Sequence, residues 1–112
     1  MIKATFFRNN RGEISGFEIS GHAGYAEAGS DIICAAVSAI AYTAIGYFHE
    51  KQYDGKLPVY SERDGFLKFE APRPSTDRAE ERAAAAAVLE AARIGLMQIA
   101  QSYGTEYIRV ID

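Results

Sequence analysis

The chain has 112 residues, 12 basic and 15 acidic, for a formal net charge of −3, and 48% of it is hydrophobic. This is the size of one domain with a modest core, so a single domain over residues 1–112 is expected. The acidic balance argues against a nucleic-acid-binding surface, which needs a basic footprint. No uninterrupted apolar run of 18 residues occurs, so no membrane-spanning helix is expected, and MIKATFFRNN lacks the pattern of a secretory leader. One cysteine makes no internal disulfide and suits a reducing cytoplasm. With two histidines beside it, neither a structural zinc site nor another cofactor is implied.

The alternation of Ile2, Ala4 and Phe6 with Lys3, Thr5 and Arg8 predicts a strand. Asn9 to Gly12 has the residues of a hairpin turn, and a second strand over Glu13–Ser20 follows, antiparallel to the first, with a bulge at Gly16 where the alternation breaks. Residues 21–31 hold three glycines and no apolar pattern, which reads as a flexible loop. Ile32–Gln52 is apolar on most faces and too long for a strand. It predicts a buried helix with Asp31 as its N-cap. Leu57–Arg63 and Phe66–Glu70 flank Asp64-Gly65, a strong hairpin signal. The run Ala71-Pro72-Arg73-Pro74 is a connector. A second helix follows, capped by Asp77 with Glu80, or by Thr76, with Val88, Ala92, Gly95 and Ile99 on one face and Leu89 and Leu96 beside them. Gly104 ends it, and Glu106–Ile111 reads as a last strand. The order β-β-α-β-β-α-β implies an α+β fold, two helices packed on a mixed or antiparallel five-stranded sheet.

The chemistry concentrates in GHAGYAEAGSDIICAAVS, residues 21–38. With Asp31 as cap, Cys34 is the third residue of the helix, where unpaired N–H groups and the positive end of the helix dipole favour a thiolate and can hold an oxyanion. His22 ends the preceding strand, and the loop can fold back to bring its imidazole to the thiol. A Cys–His pair is the smallest activated nucleophile. On these features alone, a cysteine in an apolar helix is more often a small buried hydrophobe. The glycine-flanked loop, the strand-end histidine and the helix-start cysteine carry the catalytic reading only in combination.

This segment resembles the signature of the ribosomal-processing cysteine protease (Prp) family, roughly G-H-A, a variable stretch, then G-x-D-I-[VI]-C-A-A-[VI]-S. The match is at Gly21, His22, Ala23, Gly29, Asp31, Ile32, Cys34, Ala35, Ala36 and Ser38, with the same His-to-Cys spacing. Phe6, Phe7, Arg8, Gly12 and Phe17 are similar as well. Gly104 stands where some members have proline, at a helix end and away from the motif. The resemblance implies a cytoplasmic, homodimeric cysteine endopeptidase with His22 and Cys34 as the catalytic pair. Such enzymes remove the N-terminal extension of a large-subunit ribosomal protein, cutting after an aromatic residue. The partner is then that extension peptide, with no nucleic acid and no membrane.

The neighbouring residues carry weaker expectations. Asp31 can orient His22 or the loop, but capping already accounts for it. Ser38, one turn past Cys34, can support the thiolate or back-bond its own helix. Gly21, Gly24 and Gly29 give a lid its freedom, and Tyr25 is the loop aromatic expected to touch substrate. The other reading of the chain is a noncatalytic dimeric module of the same fold, binding a ribosomal protein or aiding assembly, with Cys34 as packing.

Overall fold

The computed structural model describes residues 1–27, 30–75 and 78–112. Its elements are β1 (Ile2–Arg8), β2 (Ile14–Ser20), α1 (Ile32–Lys51), a short 3-10 turn (Tyr53–Gly55), β3 (Val59–Arg63), β4 (Phe66–Glu70), α2 (Ala79–Tyr103) and β5 (Ile108–Ile111). The five strands form one mixed sheet in the order β3-β4-β2-β1-β5. The β1/β2, β2/β4 and β3/β4 pairs are antiparallel, and β5 runs parallel to β1.

The alternation in β1 buries Ile2, Ala4 and Phe6 on one face and leaves Lys3 and Phe7 outside. In β2 the pairing slips between Phe7↔Gly16 and Arg8↔Ile14, so Ser15 is the extra residue. The bulge sits one position before the expected Gly16, and it turns both Ile14 and Phe17 toward the core despite their odd spacing. Phe6, Phe17, Phe69 and Phe48 then form a chain of rings with centroids 5.2–5.6 Å apart, running across β1, β2 and β4 to α1. Such tilted contacts add to the area that each ring buries.

Asp31 caps α1 as expected, accepting from the N–H groups of Ile33 and Cys34. At the other end Gln52 adopts a left-handed conformation, and its N–H closes on the Phe48 carbonyl. α2 begins at Ala79, with Arg78 in the cap position. The expected capping residues Thr76 and Asp77 lie outside the described residues. The buried line of α2 is Ala85, Leu89, Ala92, Leu96 and Ile99. Leu89 and Leu96 thus belong to its centre, while Val88 is only partly buried beside it and Gly95 lies where α2 meets Ile40 of α1. Leu57 and Pro58 precede β3, and residues 105–107 form a turn before β5.

Both helices are long and apolar enough to cross a membrane by length and composition alone. Neither has an uninterrupted apolar run of 18 residues. Their buried residues join those of the sheet in a single core, but the expectation of a buried α1 is not met. Only the face with Ile33, Val37, Ala41, Ala44, Ile45 and Phe48 is covered, because α1 packs from one side, and Ile32, Ala35, Ala39 and Tyr42 stay exposed.

Candidate active site

β2 leaves the sheet at Gly21. Its φ is +91°, and an added Cβ would lie 2.3 Å from the Met1 carbonyl oxygen, so only glycine fits there. The Gly21 N–H donates to the carbonyl of Gly65, 2.8 Å away in the β3–β4 turn. The chain therefore presents His22 beside that turn, with the imidazole largely in solvent and its Nε2 3.7 Å from Asp64 Oδ1. That contact is ionic when the imidazole is protonated, and it is too long for a hydrogen bond.

The next residue turns inward. Ala23 is buried, and its N–H points at Cys34 Sγ, 3.5 Å away. Cys34 is half-buried at the third position of α1. Between the two, Asp31 organises the loop. Its Oδ1 accepts from Ile33 and Cys34, each at 3.0 Å, and its Oδ2 accepts from Tyr25 at 3.0 Å and Ala26 at 3.2 Å. Burial alone would raise the Asp31 pKa, but these four backbone donors outweigh it and hold the carboxyl below its ordinary value. Asp31 is thus both helix cap and loop anchor, and no hydrogen bond joins it to His22.

His22 and Cys34 line one open cavity of about 290 Å³. Ser38 and Tyr42 continue its wall along α1, and Ile19, Val37 and Leu67 supply apolar surface. Arg63 also borders it, with its guanidinium 4.0 Å above the Phe66 ring. Imidazole and thiol share this space without a hydrogen bond between them; the imidazole faces Asp64 instead.

Several expectations change here. The helix-start N–H groups of Ile33, Cys34 and Ala35 are not free for an oxyanion, because the Asp31 side chain and carbonyl take them. The donor directed at the sulfur is Ala23. Tyr25 does not line the cavity: its ring meets Tyr103 and Tyr107 edge-on, at 5.9 and 5.3 Å. Tyr42 is the aromatic residue of α1 that borders the cavity. Ser38 is exposed on the face of Cys34. Gly24 has φ +71° with open space around it, and Gly29 lies outside the described residues. His49 sits in the last turn of α1, far from Cys34 along the same helix. Asp64 and Gly65 were legible only as turn formers. Their nearness to His22, 42 positions upstream of Asp64, left no signal in the sequence.

The family model of cysteine protease Prp matches residues 1–109. This chain belongs to the Prp family of cysteine proteases. The ribosomal processing cysteine protease Prp of Bacillus subtilis (strain 168) is 34% identical over 83 residues, covering 74% of each chain. The fold resembles that of Prp from S. aureus in complex with a covalently linked product peptide, with TM-score 0.75 and 24% identity over 99% of this chain and 98% of that one. A Streptococcus mutans protein superposes with TM-score 0.72 and 29% identity over 99% of this chain and 92% of that one. The Prp assignment makes the chain a cysteine protease and sets aside the noncatalytic reading of the fold.

Proposed function

We propose that this Prp protease removes the N-terminal extension of a large-subunit ribosomal protein, cutting after an aromatic residue, with Cys34 as nucleophile and His22 as general base and acid. The observation that carries the reading is the shared cavity: the one thiol of the chain and a solvent-reaching imidazole line the same space. The name of the B. subtilis relative supports ribosomal processing, and the S. aureus protein has been seen with a covalently linked product peptide.

In the proposed reaction His22 takes the thiol proton and Cys34 Sγ attacks the scissile carbonyl carbon. The imidazolium then protonates the departing amine as the C–N bond breaks, leaving a thioester. Water, deprotonated by His22, attacks the thioester, and the thiol is restored as the carboxylate product leaves. The Ala23 N–H, already directed at the sulfur, is placed to receive the developing oxyanion. Ile19, Val37 and Leu67 offer the apolar wall that an aromatic side chain needs. β3 is an exposed edge strand leading into Arg63 and Asp64, so an extended peptide can add to the sheet and reach the cavity. We read the working form as a cytoplasmic homodimer.

The test is mass spectrometry of a synthetic peptide spanning the extension junction, incubated with wild type, Cys34→Ala and His22→Ala. Cleavage by wild type alone, at one bond after an aromatic residue, is expected. Full cleavage by Cys34→Ala would overturn the assignment.

A further inference from the structure

The Asp64-Gly65 turn does more than join β3 to β4. Three contacts tie it to His22. The Gly65 carbonyl accepts the Gly21 N–H at 2.8 Å, which fixes the backbone immediately before the histidine. Asp64 Oδ1 stands 3.7 Å from Nε2. A Cβ built on Gly65 would lie 2.8 Å from Nε2, 3.4 Å from Cδ2 and 3.5 Å from Cε1, so the Nε2 edge of the ring lies against the bare Cα of this glycine.

An imidazole that sets its Nε2 edge against the turn directs Nδ1 away from it. We infer that the Asp64-Gly65 turn positions His22 for catalysis: Gly65 provides the space for the ring, and Asp64 engages Nε2 so that Nδ1 is the nitrogen that exchanges the proton with Cys34. This rests on His22 acting as the acid and base proposed above. Asp64 and Gly65 touch neither thiol nor peptide in this scheme; both act through the imidazole.

The two residues act with unequal strength. Asp64 is almost fully exposed, and ion pairs in water contribute little. Its removal is therefore expected to lower kcat only about fivefold, with KM little changed. The Gly65 contact is steric and less forgiving. Gly65 has φ +69°, a conformation asparagine tolerates better than other side chains. Gly65→Asn therefore keeps the turn while introducing the Cβ. It is expected to push the ring aside and lower kcat by about tenfold or more, since small misplacements of a reacting group are costly.

The experiment compares wild type, Asp64→Ala, Asp64→Asn and Gly65→Asn in two ways. The first is the carbon-bound proton resonances of the His22 ring by NMR without substrate, read in a spectrum that contains only two histidines. The second is kcat and KM on the junction peptide, with thermal unfolding as a check on folding. Displaced His22 resonances in Asp64→Ala and Gly65→Asn, a fall in kcat rather than a rise in KM, and partial recovery in Asp64→Asn, whose amide oxygen keeps a negative dipole at the same place beside Nε2, are expected. Unchanged resonances and unchanged kcat would overturn the proposal. So would a higher kcat in Asp64→Ala, because the turn would then hold the imidazole away from the thiol. If wild type cleaves no peptide while the resonances still move, the positioning stands and the substrate assignment fails.

Discussion

The backbone N–H of Ala23 points at Cys34 Sγ across 3.5 Å, so the residue that follows the imidazole is bonded to the thiol eleven positions further on. This couples the end of β2 to the start of α1. Sulfur is a weak acceptor, but the donor is buried and costly to leave unpaired. Cys34→Ala should therefore speed hydrogen exchange at the Ala23 amide while the β1–β2 amides keep their protection. Cys34→Ser, which retains an acceptor, should restore part of the protection at Ala23. Equal exchange in all three proteins would show that the contact holds nothing.

Asp31 divides its oxygens between helix and loop, and the division can be separated chemically. Asp31→Asn keeps one oxygen for Ile33 and Cys34, and asparagine caps helices well. Its NH2 group would then face the N–H groups of Tyr25 and Ala26. The loop should loosen while α1 stays capped, seen as faster exchange at Tyr25 and Ala26. Asp31→Ala should lose both functions and unfold at a lower temperature than Asp31→Asn.

The same carboxylate sets an acid limb. Its folded pKa lies below the ordinary 3.8, because the four N–H donors outweigh the opposing effect of burial. A depressed carboxylate pKa contributes stability that is present above the unfolded value and is lost as pH falls through the folded value. Wild type should thus lose stability below about pH 4, and Asp31→Asn should show a shallower loss over that window in denaturant titrations.

Tyr25 holds the loop from the outside through its edge-on contacts with Tyr103 and Tyr107. Aromatic pairs of this kind contribute about 0.5–1.5 kcal/mol each, and Tyr25 is partly exposed. Tyr25→Ala should cost about 1 kcal/mol, and Tyr25→Phe should cost much less. A raised KM in Tyr25→Ala with unchanged stability would instead assign the ring to substrate.

Gly16 faces the backbone of β4. A Cβ there would lie 2.2 Å from the Phe69 carbonyl oxygen, and backbone cannot rotate out of the way. Gly16→Ala should destabilise the protein by about 1–3 kcal/mol, read as a lower denaturant midpoint at unchanged m-value.

Much of the architecture was legible locally. The Asp31 cap, the Asp64-Gly65 turn, the alternation of β1 and the length of α1 each depend on residues within a few positions of one another. Capping hydrogen bonds, turn dihedrals and side-chain periodicity act over that range. The pairing of His22 with Cys34 as candidates was legible for the same reason: strand end, glycine loop and helix start are contiguous. The amphipathic line of α2 was displaced by a fraction of a turn because its alanines are nearly alike in hydrophobicity on every face. Only packing against α1 and the sheet decides which of them is buried.

By itself, the sequence determined the element order, the Asp31 cap, and the placing of one thiol and one imidazole on either side of a glycine-rich loop. Tertiary structure alone decided that β5 lies parallel beside β1, that β4 lies beside β2, and that the Asp64-Gly65 turn consequently comes to His22. It also decided that Tyr42 rather than Tyr25 faces the cavity, and that Asp31 occupies the N–H groups at the start of α1. These are contacts between residues far apart in the chain or on opposite sides of a folded loop. They are chosen by the packing of the whole core, and no local pattern of residue types encodes that sum.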